Sequence, residues 1–229
     1  MRKLGLLAGG IVMTLVAGFG FYWLVLRDDP APPAKIKQTK VATGADAPEG
    51  LLDGTYALRS SDGDSFVGYR VEEQFVAGAI NGTATGRTPE IEGSLSISGT
   101  TVDGVTITAN MQALVSDESR RDNRIRTSGL ETDTFPNAEF VLDEPIELGT
   151  LPAAGETVEV TAVGHLTLHG VTRDVEIPLE ARWDGTRVQV VGRLPIVFSD
   201  YDIDAPSVPG FVTVDDRGEM ELQLFFEPE

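Results

Sequence analysis

The chain has 229 residues with a formal net charge of −18, and its 41% hydrophobic content is enough to bury one sizeable core. After residue 45 there are 34 acidic side chains against 12 basic ones, all of them arginine, and this excess argues against nucleic acid as a partner. The sequence contains no cysteine, which excludes disulfides, thiol catalysis and thiolate metal sites.

The first predicted element is a membrane-spanning helix. Residues 4–26 form an uncharged run of 23 residues, which is long enough to cross a bilayer at about 1.5 Å per residue. The run follows Arg2 and Lys3 and ends in an aromatic cluster typical of a membrane interface: Phe19, Phe21, Tyr22 and Trp23. A cleaved signal peptide is the alternative, although the aromatic residues stand where a small-residue cleavage site belongs. We predict an uncleaved anchor over residues 1–26, whose orientation the basic residues on both sides leave undecided.

Residues 27–53 are rich in proline, alanine and polar side chains and show no periodicity. This composition is typical of a disordered tether. It predicts a linker between the anchor and a folded domain over residues 54–229.

From Thr55 onward, apolar and polar residues alternate, with Gly, Asp and Pro between the alternating runs. In one run Val105, Ile107 and Ala109 share a face, while Thr106 and Thr108 lie on the other. The pattern predicts eight to ten antiparallel strands with one apolar face each. Such strands close into a barrel or pack as a sandwich, and periodicity does not distinguish the two.

The connection 116–136 breaks this pattern with a cluster of arginines. Four of them lie within seven positions, among turn-forming residues: Arg120, Arg121, Arg124 and Arg126. Guanidinium groups fork onto carboxylates or phosphates, and loops at the mouth of a barrel often hold binding groups. The cluster is therefore a candidate anion site. Pairing with nearby acids in a solvated connection is the other interpretation, and the acids are Asp117, Glu118, Asp122 and Glu131.

Three blocks, in this order and spacing, resemble the YceI family of lipocalin-like, polyisoprenoid-binding proteins: GTYALRSSDGDSFVGYRVEE, ESRRDNRIRTSGLETDTFPNAEF and GHLTLHGVTRDVEIPLEAR. The resemblance covers roughly residues 54–227. It implies an all-β, antiparallel barrel of about eight strands whose apolar cavity holds an isoprenoid chain.

By position, Arg121, Asp122 and Arg126 match the family's Arg-Asp block, and Gly164, Leu166, Thr167 and residues 170–172 match its hairpin. Two departures stand out. Arg124 lies where family members often have histidine, which puts the head-group chemistry in doubt, and the predicted anchor replaces the usual cleaved signal.

These residues give a candidate set for a polar head group: Arg121, Asp122, Arg124, Arg126, Arg173 and His169. Arg173 shares parity with Val171, Val175 and Ile177, which places it near the end of an inward face, where a charge is costly unless it is paired. A diphosphate head or a carboxylate such as Asp174 would supply the partner.

The candidate cavity wall consists of inward residues of the alternating faces: Val71, Ile107, Met111, Phe140, Leu166, Ile177, Leu179, Ile196 and Phe198. An eight-stranded barrel is just wide enough for one slender ligand. A barrel of this size can also be solid, in which case the same residues only fill the core.

Catalytic and metal sites are disfavoured by the residues present. His165 and His169 lie on one strand face but about 13 Å apart at the usual rise, too far to share a zinc ion. Asp200, Asp202 and Asp204 alternate like the start of a calcium loop, but Ala205 and Phe211 stand where such a loop needs Gly and Glu. We expect no metal site, no cofactor and no catalysis.

The sequence therefore predicts non-covalent binding, storage or transport of a polyisoprenoid or similar amphiphilic lipid. The predicted location is the outer face of the cell membrane, with the barrel on the extracytoplasmic side. The alternative is an envelope protein-interaction or stress-related module with a filled core and no lipid ligand.

Overall fold

The computed structural model describes residues 30–38, 41, 52–58, 64–75, 80–205 and 212–229. The predicted anchor over residues 1–26 and most of the predicted linker lie outside these ranges. Within them, no helix has the length and apolar character needed to cross a membrane. The compact unit that carries the strands runs from Pro32 to Glu229.

Thirteen strands occur in the described residues. They are β1 (Gly54–Leu58), β2 (Phe66–Phe75), β3 (Ile80–Thr88), β4 (Ile91–Ser98), β5 (Thr101–Asn110), β6 (Val115–Ser116), β7 (Asn137–Leu142), β8 (Ile146–Glu147), β9 (Thr157–Leu168), β10 (Val171–Trp183), β11 (Val188–Ile196), β12 (Val212–Val214) and β13 (Gly218–Pro228).

The strands close into a barrel. Antiparallel pairing runs in the order β1-β4-β5-β7-β9-β10-β11-β13, and β13 pairs back onto β1, which completes a ring of eight strands. β1 and β2 pair one after the other with the same edge of β13. On their far side β4 pairs with β1, and β3 pairs with β2. The prediction of an all-β antiparallel barrel of about eight strands is confirmed, and the sandwich alternative is excluded.

The alternation of the sequence places the core inside the ring. Ile107, Leu166 and Ile177 point inward and are 9%, 3% and 2% exposed. Gly164 on β9 shows how tightly the neighbouring strands approach. A Cβ there would lie 2.2 Å from the Val141 carbonyl oxygen and 2.9 Å from the Phe140 ring, so no larger residue fits at this position without moving the backbone.

The arginine-rich connection covers one end of the barrel. It runs through a 3-10 turn (Met111–Ala113), β6, the short helix α1 (Ser119–Arg124) and a π-helical turn (Ile125–Gly129). Because β6 pairs with β3, the connection reaches from β5 across to the opposite wall. The Glu118 side chain caps α1 by accepting a hydrogen bond from the Arg120 amide.

Residues Pro32–Gln38 form an extended segment, here called the strap, on the outside of β11 and β13. The Ala34 amide donates to Glu221 Oε2 at 3.2 Å, and the Lys37 amide donates to Gln189 Oε1 at 2.9 Å. Ala34 is 4% exposed and packs with Phe66 and Val191. The expectation of a disordered tether is therefore wrong for this part of residues 27–53, because the strap is hydrogen-bonded and partly buried.

β10 is paired unevenly along its two edges. All of its residues from Val171 to Arg182 pair with β9, whereas pairing with β11 begins only at Leu179. Beside the first half of β10 lies a 3-10 turn, Phe198–Tyr201, and Tyr201 and Ile203 pack there against Leu166 and Ile196. Side chains in and after this turn therefore complete the barrel wall where the pairing of β10 with β11 ends.

Candidate ligand-binding cavities

The first cavity lies inside the closed ring. Its volume is about 140 Å³. Apart from Glu139 and Arg182 its lining residues are apolar, and they include Ile107, Phe140, Ile177, Leu179 and Trp183. The Arg182 guanidinium is directed away from it, since it donates to the carbonyl oxygens of Gly155 and Lys37 at 3.0 and 2.9 Å. This cavity can hold an apolar chain but offers it almost no polar partner.

The second cavity lies under the arginine-rich connection. Its volume is about 120 Å³. β2 contributes Val71, the connection contributes Met111 and Leu130, and the segment after β11 contributes Phe198 and Ile203. This end of the barrel is therefore hollow beneath its cover.

All nine residues of the predicted cavity wall line one cavity or the other. Ile107, Phe140, Ile177 and Leu179 line the first, Val71, Met111, Ile196 and Phe198 line the second, and Leu166 lines both. The contact of these residues with a ligand stays a prediction. Sequence analysis did not single out Leu130 and Ile203, which lie in irregular segments where alternation gives little signal. Met220 alternates with Leu222 and Leu224 on β13 but was not among the predicted wall residues.

Arg121 is held by carboxylates. Its Nη2 lies 3.2 Å from Glu73 Oε2, and its Nη1 donates to Asp117. Burial by itself would lower the pKa of Arg121, but the charges of Glu73 and Asp117 outweigh it and raise the pKa above its ordinary value. The guanidinium thus fastens the connection to β2.

The other members of the arginine block lie apart from the cavities. Asp122 Oδ1 accepts hydrogen bonds from the Ser116 amide at 2.8 Å and the Ser116 hydroxyl at 2.6 Å, so it shapes the turn before α1. Arg124 and Arg126 are exposed on the outside of the connection.

Arg173 stands directly opposite Leu166 in the β9–β10 pairing, so its side chain leaves the sheet on the inward face, as the parity predicts. Its side chain is nevertheless exposed, and its Nε donates to the Asp200 carbonyl oxygen at 2.9 Å. β10 has no β11 neighbour at this point. The expected carboxylate or diphosphate partner is thus replaced by a backbone carbonyl.

His169 is buried rather than on the surface. It occupies the β9–β10 turn with φ +52°, and its side chain is 7% exposed. Nδ1 donates to the Tyr201 carbonyl oxygen at 3.0 Å, and Nε2 pairs with Glu131 Oε2 at 3.0 Å. His169 therefore ties the turn to the connection and to the segment after β11.

The structure does not bring the six candidate head-group residues into one site, and none of them lines either cavity. Their head-group role stays a prediction. Within the described ranges no three His, Asp or Glu side chains converge as metal ligands.

Tyr69 is a polar residue of the second cavity that sequence analysis missed. Its ring lines the cavity, and its buried hydroxyl makes no hydrogen bond to the described residues. Ser116 lies beside it, but the Ser116 hydroxyl donates to Asp122. Burial raises the pKa of Tyr69 above its ordinary value, so this hydroxyl stays protonated.

The comparisons with known proteins agree with this architecture. A family model described as YceI-like domain matches residues 61–226. No curated protein sequence matches the chain.

Three solved structures share the fold. One is a polyisoprenoid binding domain from Saccharophagus degradans implicated in plant cell wall breakdown, with 20% identity, 76% of this chain and 98% of that chain covered, and a TM-score of 0.58. BcnA of Burkholderia cenocepacia has 17% identity, coverages of 73% and 98%, and a TM-score of 0.53. The YCEI protein of Campylobacter jejuni has 16% identity, coverages of 63% and 85%, and a TM-score of 0.50.

Proposed function

The chain belongs to the YceI-like domain family, and from this premise we propose that it binds a polyisoprenoid or similar amphiphilic lipid without covalent attachment. The observation that carries the proposal is the hollow interior of the barrel, with two cavities whose walls are almost wholly apolar. Binding is then driven by removing the prenyl chain from water, at about 25 cal/mol per Å² of apolar surface.

The proposed place of action is the outer face of the cell membrane. The support for this is the apolar run over residues 4–26 together with the excess of acidic side chains after residue 45. An anchored barrel would take up a lipid at the membrane surface and store it or pass it on.

The tail of the ligand, more than its head, should determine affinity. Arg121 is already paired with two carboxylates, and the guanidinium of Arg173 is bonded to a backbone carbonyl. A diphosphate at the mouth would therefore compete with existing partners of these groups. A prenyl chain meets no such competition.

Titration with prenyl alcohols of ten, twenty and forty carbons tests the proposal. At about 0.3 kcal/mol per heavy atom, a buried twenty-carbon chain supplies roughly −6 kcal/mol, or about 40 μM, and a fully buried forty-carbon chain roughly −12 kcal/mol, near nanomolar. Affinity should rise with length and level off where the cavities are full. Trp183 lines the first cavity, so its fluorescence should report binding. The titration uses a chain that begins at Pro30, because this chain lacks the other tryptophan, Trp23.

Leu179→Phe is the matched variant, because the added ring occupies volume in the first cavity that the ligand needs. It should move the plateau to shorter chains. No saturable binding at any length, with Leu179→Phe only lowering stability, would support the filled-core interaction module instead. Organic extraction of the protein from its native membrane, followed by mass spectrometry, would identify the bound lipid.

A further inference from the structure

The two cavities share a wall. Four residues line both of them: Val67 on β2, Ala138 on β7, Leu166 on β9 and Met220 on β13. One water needs about 10–15 Å³ of such a cavity, so each cavity by itself has room for on the order of ten waters. A ten-carbon prenyl chain is of similar size, whereas a forty-carbon chain exceeds either cavity.

Only one member of this wall is both long and flexible. Ala138 has no rotatable side-chain bond, and Val67 is stiff because it is branched at Cβ. Leu166 is 3% exposed and packed against Ile196, Tyr201 and Ile203. Met220 is half-buried, packs against the core clusters on both sides of the wall, and has an unbranched side chain that adapts to irregular space.

We propose that Met220 opens and closes the passage between the two cavities and so sets the longest prenyl chain that the barrel accepts. This inference rests on the proposed function and deepens it, because it assigns the length of the ligand to a specific residue. When Met220 turns aside, one chain threads through both cavities. When it lies across the wall, each cavity takes a short ligand separately.

The proposal predicts a stoichiometry. The wild-type protein should bind two ten-carbon prenyl alcohols, one in each cavity. It should bind only one forty-carbon alcohol, and that single ligand should displace both short ones. Native mass spectrometry of the full chain, released from detergent micelles, counts the bound ligands directly.

Met220→Phe tests the passage, because a rigid ring replaces the flexible thioether. It should still bind two ten-carbon alcohols, and because Met220 lines both cavities any loss of affinity for them should be small beside the loss for the forty-carbon alcohol. Its affinity for the forty-carbon alcohol should fall at least tenfold, and the long ligand should displace only one short ligand. Met220→Leu, which nearly conserves volume, is the control and should change the ratio of long-chain to short-chain affinity much less.

Ala138→Leu approaches the passage from the opposite wall and should cause the same selective loss, so the test survives if Met220→Phe fails to fold. A wild-type barrel that binds both ligands, with a length preference unchanged in Met220→Phe and Ala138→Leu, would overturn this role of Met220 and leave the proposed function standing. A wild-type barrel that binds neither ligand would overturn both.

Discussion

At the scale of single residues, Arg121 shows how a cationic cluster can serve the fold. Glu73 is 8% exposed and receives two hydrogen bonds from Arg121 at 3.3 and 3.2 Å. An anion site needs free donors, and these donors are directed at the barrel's own carboxylates. The interpretation that the arginines pair with nearby acids is therefore correct for Arg121, which pairs with Asp117. Its second partner, Glu73, lies far from it in sequence, and the interpretation did not include it.

Arg121→Ala should lower the free energy of unfolding by about 1.5 to 3 kcal/mol, since hydrogen bonds to charged groups are lost and Glu73 is left buried without this partner. Affinity for an uncharged prenyl alcohol should not change. Urea denaturation and a prenyl-alcohol titration measure the two quantities.

Arg126→Ala is the matched control, because Arg126 is exposed on the same connection, and its effect on stability should stay within about 0.5 kcal/mol. A stable Arg121→Ala protein that selectively loses a diphosphate-bearing lipid would restore the head-group interpretation.

The sequence predicted best which face of a regular strand each residue occupies. Ile107 and Ile177 alternate in the sequence and point inward as expected. Arg173 obeys the same parity, but its exposure depends on the end of the β10–β11 pairing at Leu179, which the residues of β10 do not encode. Tyr69 was missed because its alternation resembles that of any strand residue.

At the scale of elements, the strap is the feature that composition concealed. Its proline and alanine content is typical of a linker, yet it is held by side chains of β11 and β13. Arg193 Nη2 donates to the Ala34 carbonyl oxygen at 3.2 Å, and Gln189 Nε2 donates to that of Lys35 at 3.1 Å. These partners are more than a hundred positions away, so no local pattern could have revealed them.

Removing the strap should destabilise the barrel without affecting its ligand. A chain beginning at Thr43 should have a free energy of unfolding at least about 2 kcal/mol lower than one beginning at Pro30, because Glu221, which is 0% exposed, loses a hydrogen-bond donor and its cover. Prenyl binding should persist, since no strap residue lines a cavity. Urea denaturation of the two chains measures the difference.

Two substitutions separate strap packing from chain length. Ala34→Asp places a charge beside the Glu221 carboxylate and should reproduce the loss in the longer chain, whereas Lys35→Ala changes only an exposed side chain and should have little effect. Equal unfolding midpoints for all four proteins would show that the strap contributes nothing to stability.

At the scale of the whole molecule, the alternation of apolar and polar residues predicted the strands. Three short sequence blocks resemble a known family, and this resemblance predicted that the strands close into a barrel. Periodicity cannot distinguish a barrel from a sandwich, because both require one apolar face on every strand. Closure depends on the pairing of β1 with β13 near the two ends of the sheet.

The anchor is a testable prediction about the intact protein. The uncharged run of 23 residues lacks a convincing cleavage site, so the protein should stay in the membrane fraction after a carbonate wash. Its N-terminus should be intact, and the barrel should be accessible to external protease in spheroplasts. Recovery of a mature form that starts between Phe19 and Arg27 would refute the anchor and support a cleaved signal.

The topology of the strap leads us to expect that it docks late in folding. The bond between Ala34 and Glu221 joins residues 187 positions apart, and contacts of such long range form slowly because the intervening loop must close first. The surface on which the strap docks does not exist until β13, the last strand, has joined β11 and β2. An all-β chain of this kind folds in about milliseconds to seconds, and we expect docking of the strap to be among the last steps.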